Sequence, residues 1–216
     1  MDIRKKFSES DMNRIKAAVH AAESKISGEI VPVIVGKSGH YTIANYKASL
    51  LVGSLAFLCI IFFDRYVPEL AVYDPLLIFF IVLTAGALGA GASYYSSTVR
   101  RKLVPQEHMD HATRQRAENA FLEEEVFNTS QRTGIMIFIS FFEHEVIVMA
   151  DKGISKVVEQ KEWDKIVNNL TESIRKDIVV EGLETAIKRC GEILLEKSFS
   201  ITTDDKNELP DDLRIS

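Results

Sequence analysis

The chain has 216 residues, 46% hydrophobic and 26% charged, with a formal net charge of -5. That length allows one ordinary domain and a further segment. The mildly acidic balance, without a basic patch interleaved with aromatics, excludes nucleic acid as the main partner, because phosphate binding needs a basic face. The two cysteines, Cys59 in an apolar segment and Cys190 on a predicted helix, imply no disulfide framework and have no Cys or His partner at metal-ligand spacing.

Met1 to Phe7 is charged and has no apolar core, so no cleavable signal peptide is expected. Ser8 followed by Asp11 reads as a capping box opening a helix, with Phe7 and Met12 placed for a hydrophobic staple. Met12, Ile15, Val19, Ala22 and Ile26 then form one apolar face at helical spacing, and Gly28 reads as its stop. A strand follows over Glu29–Gly36. Pro32 cannot donate to a ladder, which places this strand at an edge or a bulge.

Nearly all charge lies before residue 38 and after residue 99. Between them stand two apolar segments. The first, Tyr46 to Phe63, has no charge between Lys47 and Asp64 and is near the short limit for a span, which Lys47 relieves by snorkelling. The second, Pro75 to Tyr95, starts with proline at a first helical position and ends with Tyr94 and Tyr95 at an interfacial level. Ala85 with Gly89, and Ala87 with Gly91, match the small-xxx-small spacing that lets helices approach. Two such segments joined by a short loop are hard to bury in so small a domain, so they read as a transmembrane hairpin. Lys37 and Lys47 on one flank, and Arg100, Arg101 and Lys102 on the other, face a loop holding Asp64, Arg65, Glu69 and Asp74. The positive-inside rule then puts both termini in the cytoplasm, in an inner or plasma membrane.

After Pro105 a polar helix runs to about Val126. Gly134 to Phe142 is a continuous apolar strand of the kind covered on both faces. Val146 to Ala150 forms a second strand, antiparallel to it. Two amphipathic helices close the chain, with Trp163, Ile166, Val167, Leu170 and Ile174 inward on one and Leu183, Ala186, Ile187, Cys190 and Leu194 inward on the other. This order predicts a three-layer α/β sandwich interrupted by the hairpin: residues 1–45 and 96–216 as two parts of one soluble domain, residues 46–95 as the hairpin. The strand at Ile30–Val35 should pair parallel with Gly134–Phe142, because the intervening helix makes a crossover unit.

Phe7-Ser-Glu-Ser, Ser27-Gly-Glu-Ile, Thr133-Gly-Ile-Met-Ile, Val148-Met-Ala-Asp-Lys-Gly-Ile, Trp163, Gly182 and Asn207-Glu-Leu-Pro-Asp together resemble the TPM domain family over residues 1–46 and 100–216. The resemblance implies a Rossmann-like α/β/α sandwich, divalent-cation binding and weak phosphatase activity in some members, and roles in assembly or repair of membrane complexes. The inserted hairpin departs from members that carry a membrane helix at one end.

Asp151 ends a strand beside Gly153, where a carboxylate could hold a cation; the alternative is a turn-forming Asp. The tail around Asp204, Asp205, Asn207 and Glu208 concentrates oxygen ligands suited to Ca2+ or another divalent cation, but lacks EF-hand register and reads more readily as a solvated acidic tail. These four acids, Asp151, Asp204, Asp205 and Glu208, are the candidate metal ligands. Glu107, His108 and His111 have the wrong spacing for a zinc hydrolase. Glu143 and Glu145 flank His144 in a turn and are expected to be exposed. No phosphate-binding loop, nucleophile elbow or dinucleotide fingerprint is present. Two functions are open: a membrane-anchored accessory domain that binds a cation and another membrane protein, or a metal-dependent phosphatase using Asp151.

Overall fold

Ser8 caps the first helix as its sequence requires. Its hydroxyl accepts from the Asp11 amide at 3.2 Å, and the Asp11 carboxylate accepts from the Ser8 amide at 2.9 Å. Helix α1 (Glu9–Glu23) buries Ile15, Val19 and Ala22. It ends before Gly28: the amides of Lys25 and Ile26 turn back onto the carbonyls of Ala22 and Glu23, so that Ile26 itself enters the core. Gly28 lies instead in the link to β1 (Glu29–Val35).

The computed structural model describes residues 3–201 and 207–215. Beyond β1 come α2 (Ile43–Tyr66), α3 (Pro75–Tyr95), α4 (Ser97–Leu103), α5 (Gln106–Glu123), β2 (Gly134–Ser140), β3 (Glu145–Ala150), α6 (Lys152–Ser155), α7 (Gln160–Arg175), α8 (Val179–Glu196) and β4 (Arg214–Ile215). The chain divides into two compact units, Met1–Ser38 with Asp110–Ser216, and Gly39–Met109.

In the first unit the four strands lie in the order β3-β2-β1-β4. β1 runs parallel to β2, from Glu29 opposite Gly134 to Val35 opposite Ser140, and β3 runs antiparallel to β2. Ile30, Ile34, Ile135, Ile137, Ile139 and Val146 point to one face, where α1, α7 and α8 cover them. Val31, Val33, Val35, Met136 and Phe138 point to the other face, against Ala117 and Ala120 of α5. The result is a three-layer α/β/α sandwich. It explains why β2 is apolar from Ile135 to Ile139: both faces are covered, and these residues are all 0% exposed. Each such side chain contributes roughly 1.5–3 kcal/mol by leaving water.

Pro32 sits in β1 without a bulge. Glu29 donates to Thr133, and Val35 accepts from Phe141, so the odd-numbered residues direct their polar groups to β2. Pro32 therefore faces the β4 side, where among the described residues β4 pairs with Val33 and Ile34. The missing N–H costs no ladder bond.

In the second unit α2 and α3 pack antiparallel as a hairpin. Asp74 caps α3 by accepting from the amides of Leu76 and Leu77, ahead of Pro75 at its first position. The buried contact is made by Ala44, Ala48 and Gly53 on α2 and Gly86, Gly89 and Ser93 on α3. A Cβ on Gly89 would lie 2.6 Å from the Ala48 carbonyl oxygen and 2.8 Å from Val52, so glycine sets how closely the helices approach. Gly91 is on a different face, where a Cβ would meet nothing. The large apolar side chains of both helices point outward; Leu50 is 73% and Leu88 74% exposed. Both helices are long and apolar enough to cross a membrane.

Candidate functional site

The parallel pair β1 and β2 has two ends of different chemistry. Where it terminates, the amides of Phe141 and Phe142 donate to the carbonyls of Val35 and Gly36 and carry the pairing past the strands. Here Ser38 donates its amide to Glu143 Oε1 at 2.9 Å and its hydroxyl to Ser140 Oγ at 2.8 Å, and Ser140 in turn donates to Glu143 Oε2. Glu143 is 1% exposed. The expectation of an exposed turn carboxylate is corrected. The turn, with His144 in left-handed conformation at φ 55, folds Glu143 back onto the loop leaving β1 and satisfies it there.

Glu145 opens β3 and is half-buried. Burial pushes its carboxyl above the usual range; Thr113 donates to it and opposes this, while Asp110 and Glu143 add repulsion. The crevice at the carboxyl ends of parallel strands is the common ligand position in open α/β sheets, and here it gathers Ser38, Thr113, Ser140, Glu143 and Glu145. A hydroxyl beside a carboxylate is the start of a nucleophile–base pair. Ser140, however, is 0% exposed and enclosed by Ser38 and Glu143, which makes the trio a structural clasp.

Asp151 lies at the opposite end. Because β3 is antiparallel, its last residue Ala150 stands opposite Ile135, at the start of β2. Asp151 is 5% exposed. Arg132 Nε is 2.6 Å from Oδ2, Arg132 Nη2 donates to Oδ1 at 3.1 Å, and the Lys152 amide donates to Oδ1 at 2.7 Å. Arg132 takes a left-handed φ of 58 and stacks its guanidinium 5.7 Å from the Phe127 ring. The Gly153 amide donates to the Arg132 carbonyl at 2.9 Å. The Asp-Lys-Gly sequence thus locks the loop before β2 to the end of β3. Beside it, a Cβ on Gly134 would run into the Val126 carbonyl, so the Thr-Gly pair that starts β2 admits only glycine.

The Asn207-Glu-Leu-Pro-Asp segment is a strap over this same end. Glu29 accepts from the amides of Glu208 and Leu209 at 2.9 and 3.4 Å, and the Glu208 carboxylate accepts from the Ser130 amide at 2.9 Å. Asn207 donates to Asp211 at 2.6 Å, and His20 Nδ1 lies 3.2 Å from the other Asp211 oxygen. The strap leads into β4, where Arg214 pairs with Glu124 at 3.1 Å. Glu23 accepts from the Ile30 amide at 2.7 Å. Burial pushes the Glu23 carboxyl up to about 8, helped by Glu29 and Asp211 and opposed by the Ile30 amide and Arg214. Burial also raises Glu29.

Of the candidate ligands, Asp204 and Asp205 lie outside the described residues. Asp151 is engaged by Arg132, and Glu208 by the Ser130 amide, so a cation at either would have to displace those donors. Among the described residues no group of three or more His, Cys, Asp or Glu is arranged to hold one metal ion. Sequence reading missed Glu23, Glu29 and Asp211, buried or half-buried acids that no local pattern marks. It also missed Arg132, whose only signal was a cation next to the Thr-Gly strand start. Cys190 is buried and its thiol is pushed up to about 12, which makes it inert.

Residues 96–193 match the TPM domain model. The structure is similar to the NMR structure of the BA42 protein from the psychrophilic bacterium Bizionia argentinensis, with TM-score 0.58 and 18% identity, covering 97% of this chain and 95% of that one. At that identity the likeness bears on the fold alone. No curated protein matches the chain. The matched segment contains β2, β3, the Asp151–Arg132 lock, helix α7 and most of α8, and over these residues the chain is similar to the TPM domain family.

Proposed function

We propose that the protein is a membrane-anchored TPM domain acting as a non-enzymatic accessory in the assembly, repair or quality control of a membrane protein complex, with a divalent cation such as Ca2+ as its ligand. The observation that carries the anchoring is the α2–α3 hairpin with its apolar side chains turned outward. Helices of 24 and 21 residues extend about 36 and 31 Å, against a hydrocarbon layer of about 30 Å. Exposed Tyr46, Tyr94 and Tyr95 mark one end and exposed Tyr66 and Tyr73 the other, as interfacial belts do. Cations flank the first end and acids predominate at the second, which orients both termini to the cytoplasm.

The accessory role rests on the family resemblance. The phosphatase alternative needs Asp151 to hold a cation, and the paired Arg132 guanidinium opposes that. At the strap end burial, with Glu29 and Asp211, raises the Glu23 carboxyl, and a positive ion beside it would relieve that repulsion.

The test uses the full chain. It should stay in the membrane after alkaline carbonate washing, and the detergent-purified protein should bind Ca2+ by calorimetry without hydrolysing p-nitrophenyl phosphate. Release by carbonate removes the anchor. Turnover that disappears in Asp151→Asn replaces the accessory reading with the enzyme. Absence of a heat of Ca2+ binding removes the cation.

A further inference from the structure

One end of the apolar hairpin carries four cations from two separate stretches of chain. Helix α3 stops at Ser96, whose extended backbone (φ -107, ψ 110) breaks the helix while its hydroxyl caps the start of α4 at the Val99 amide. Helix α4 therefore does not prolong α3. It turns and packs against both α2 and α3 at the base of the hairpin. Arg100 closes the break: Nε donates to the Ser93 carbonyl at 3.2 Å and Nη2 to the Tyr94 carbonyl at 2.5 Å, with its guanidinium 5.7 Å from the Tyr94 ring. From α2, Lys47 reaches the end of α4 and donates to the Leu103 carbonyl at 3.2 Å. Lys47 thus joins Arg100, Arg101 and Lys102, from which it is more than fifty residues away in sequence.

Three observations define what this collar fits. Residues 39–63 and 75–106 contain no acid. Tyr46, Tyr94 and Tyr95 are exposed at the same end. Lys47 and Lys102 are exposed, on elements whose apolar neighbours Leu50 and Val99 are also exposed. Cations beside tyrosines and outward apolar side chains match the boundary where phosphate headgroups meet acyl chains.

We propose that Lys47 and Lys102 bind the headgroup of an anionic phospholipid at the base of the hairpin, with Arg100 positioning α4. The inference rests on the membrane reading above, and its test separates the two. The full-length protein is reconstituted into vesicles of phosphatidylcholine alone and of phosphatidylcholine with phosphatidylglycerol. Flotation reports insertion, and spin-labelled lipids report which headgroup is held at the protein surface.

Wild type floats with both vesicles and prefers spin-labelled phosphatidylglycerol. The preference falls as salt rises, and falls roughly five-fold for each cation removed in Lys47→Gln and Lys102→Gln. Arg100 is left intact because it caps α3. Equal flotation with equal retention of both labelled lipids by the wild type overturns the collar while the hairpin reading stands. A wild-type preference unaffected by salt also overturns it, whatever the variants do. Failure to float with neutral vesicles overturns both readings.

Discussion

Replacing Glu23 by Gln tests the electrostatics of the strap end. The Glu23 carboxyl accepts from the Ile30 amide, and its other oxygen is buried without a hydrogen-bond partner among the described residues. Burial first, and then Glu29 and Asp211, lift it from 4.5 to about 8 against the opposing Ile30 amide and Arg214. Between those values the folded protein holds a proton that the unfolded chain has released. Stability contributed by this group is therefore complete below about pH 4.5 and declines as pH rises, by at most about 1.4 kcal/mol per pH unit, until the carboxyl is ionised above about pH 8. Across the window the ceiling is about 5 kcal/mol, reduced to about 2–3 kcal/mol because the side chain is only partly enclosed. Gln keeps the acceptor for Ile30 and never ionises. Urea unfolding in detergent, followed by fluorescence of Trp163, the one tryptophan and a buried residue of α7, reads the difference. The variant should match wild type near pH 5 and exceed it by about 2–3 kcal/mol near pH 9. A difference that does not change with pH, or a variant weaker than wild type at pH 9, refutes the assignment.

Gly134→Ala should destabilise the sandwich by about 2–4 kcal/mol in the same assay, since its Cβ meets the Val126 backbone, which has nowhere to move. Gly89→Val should force α2 and α3 apart and lower the thermal midpoint of the detergent-solubilised protein, whereas Gly91→Ala, with open space around it, should leave that midpoint unchanged. Cys190 should resist iodoacetamide in the native Cys59→Ser protein at pH 8 and react fully in concentrated guanidinium, because its thiol is buried and pushed up to about 12. Native labelling at a rate like that of free cysteine would contradict its burial.

What the sequence determined by itself are the features that repeat locally. The Ser8–Asp11 capping box, the inward faces of α1, α7 and α8, the two apolar helices and the unbroken apolar run of β2 each follow from spacing along one element, and short-range backbone geometry turns that spacing directly into structure. The parallel pairing of β1 with β2 follows too, because a helix between two strands restricts how the chain can return. Only the tertiary structure decided which carboxylates are held and by what. Asp151 meets Arg132 across 19 residues, Glu143 meets Ser38 across 105, and Glu29 meets the amide of Glu208 across 179. No periodicity encodes such pairs: each depends on where two strand ends fall once the sheet has formed. An acid that reads as a solvent-facing turn residue in one dimension can then become a buried hydrogen-bond acceptor in three.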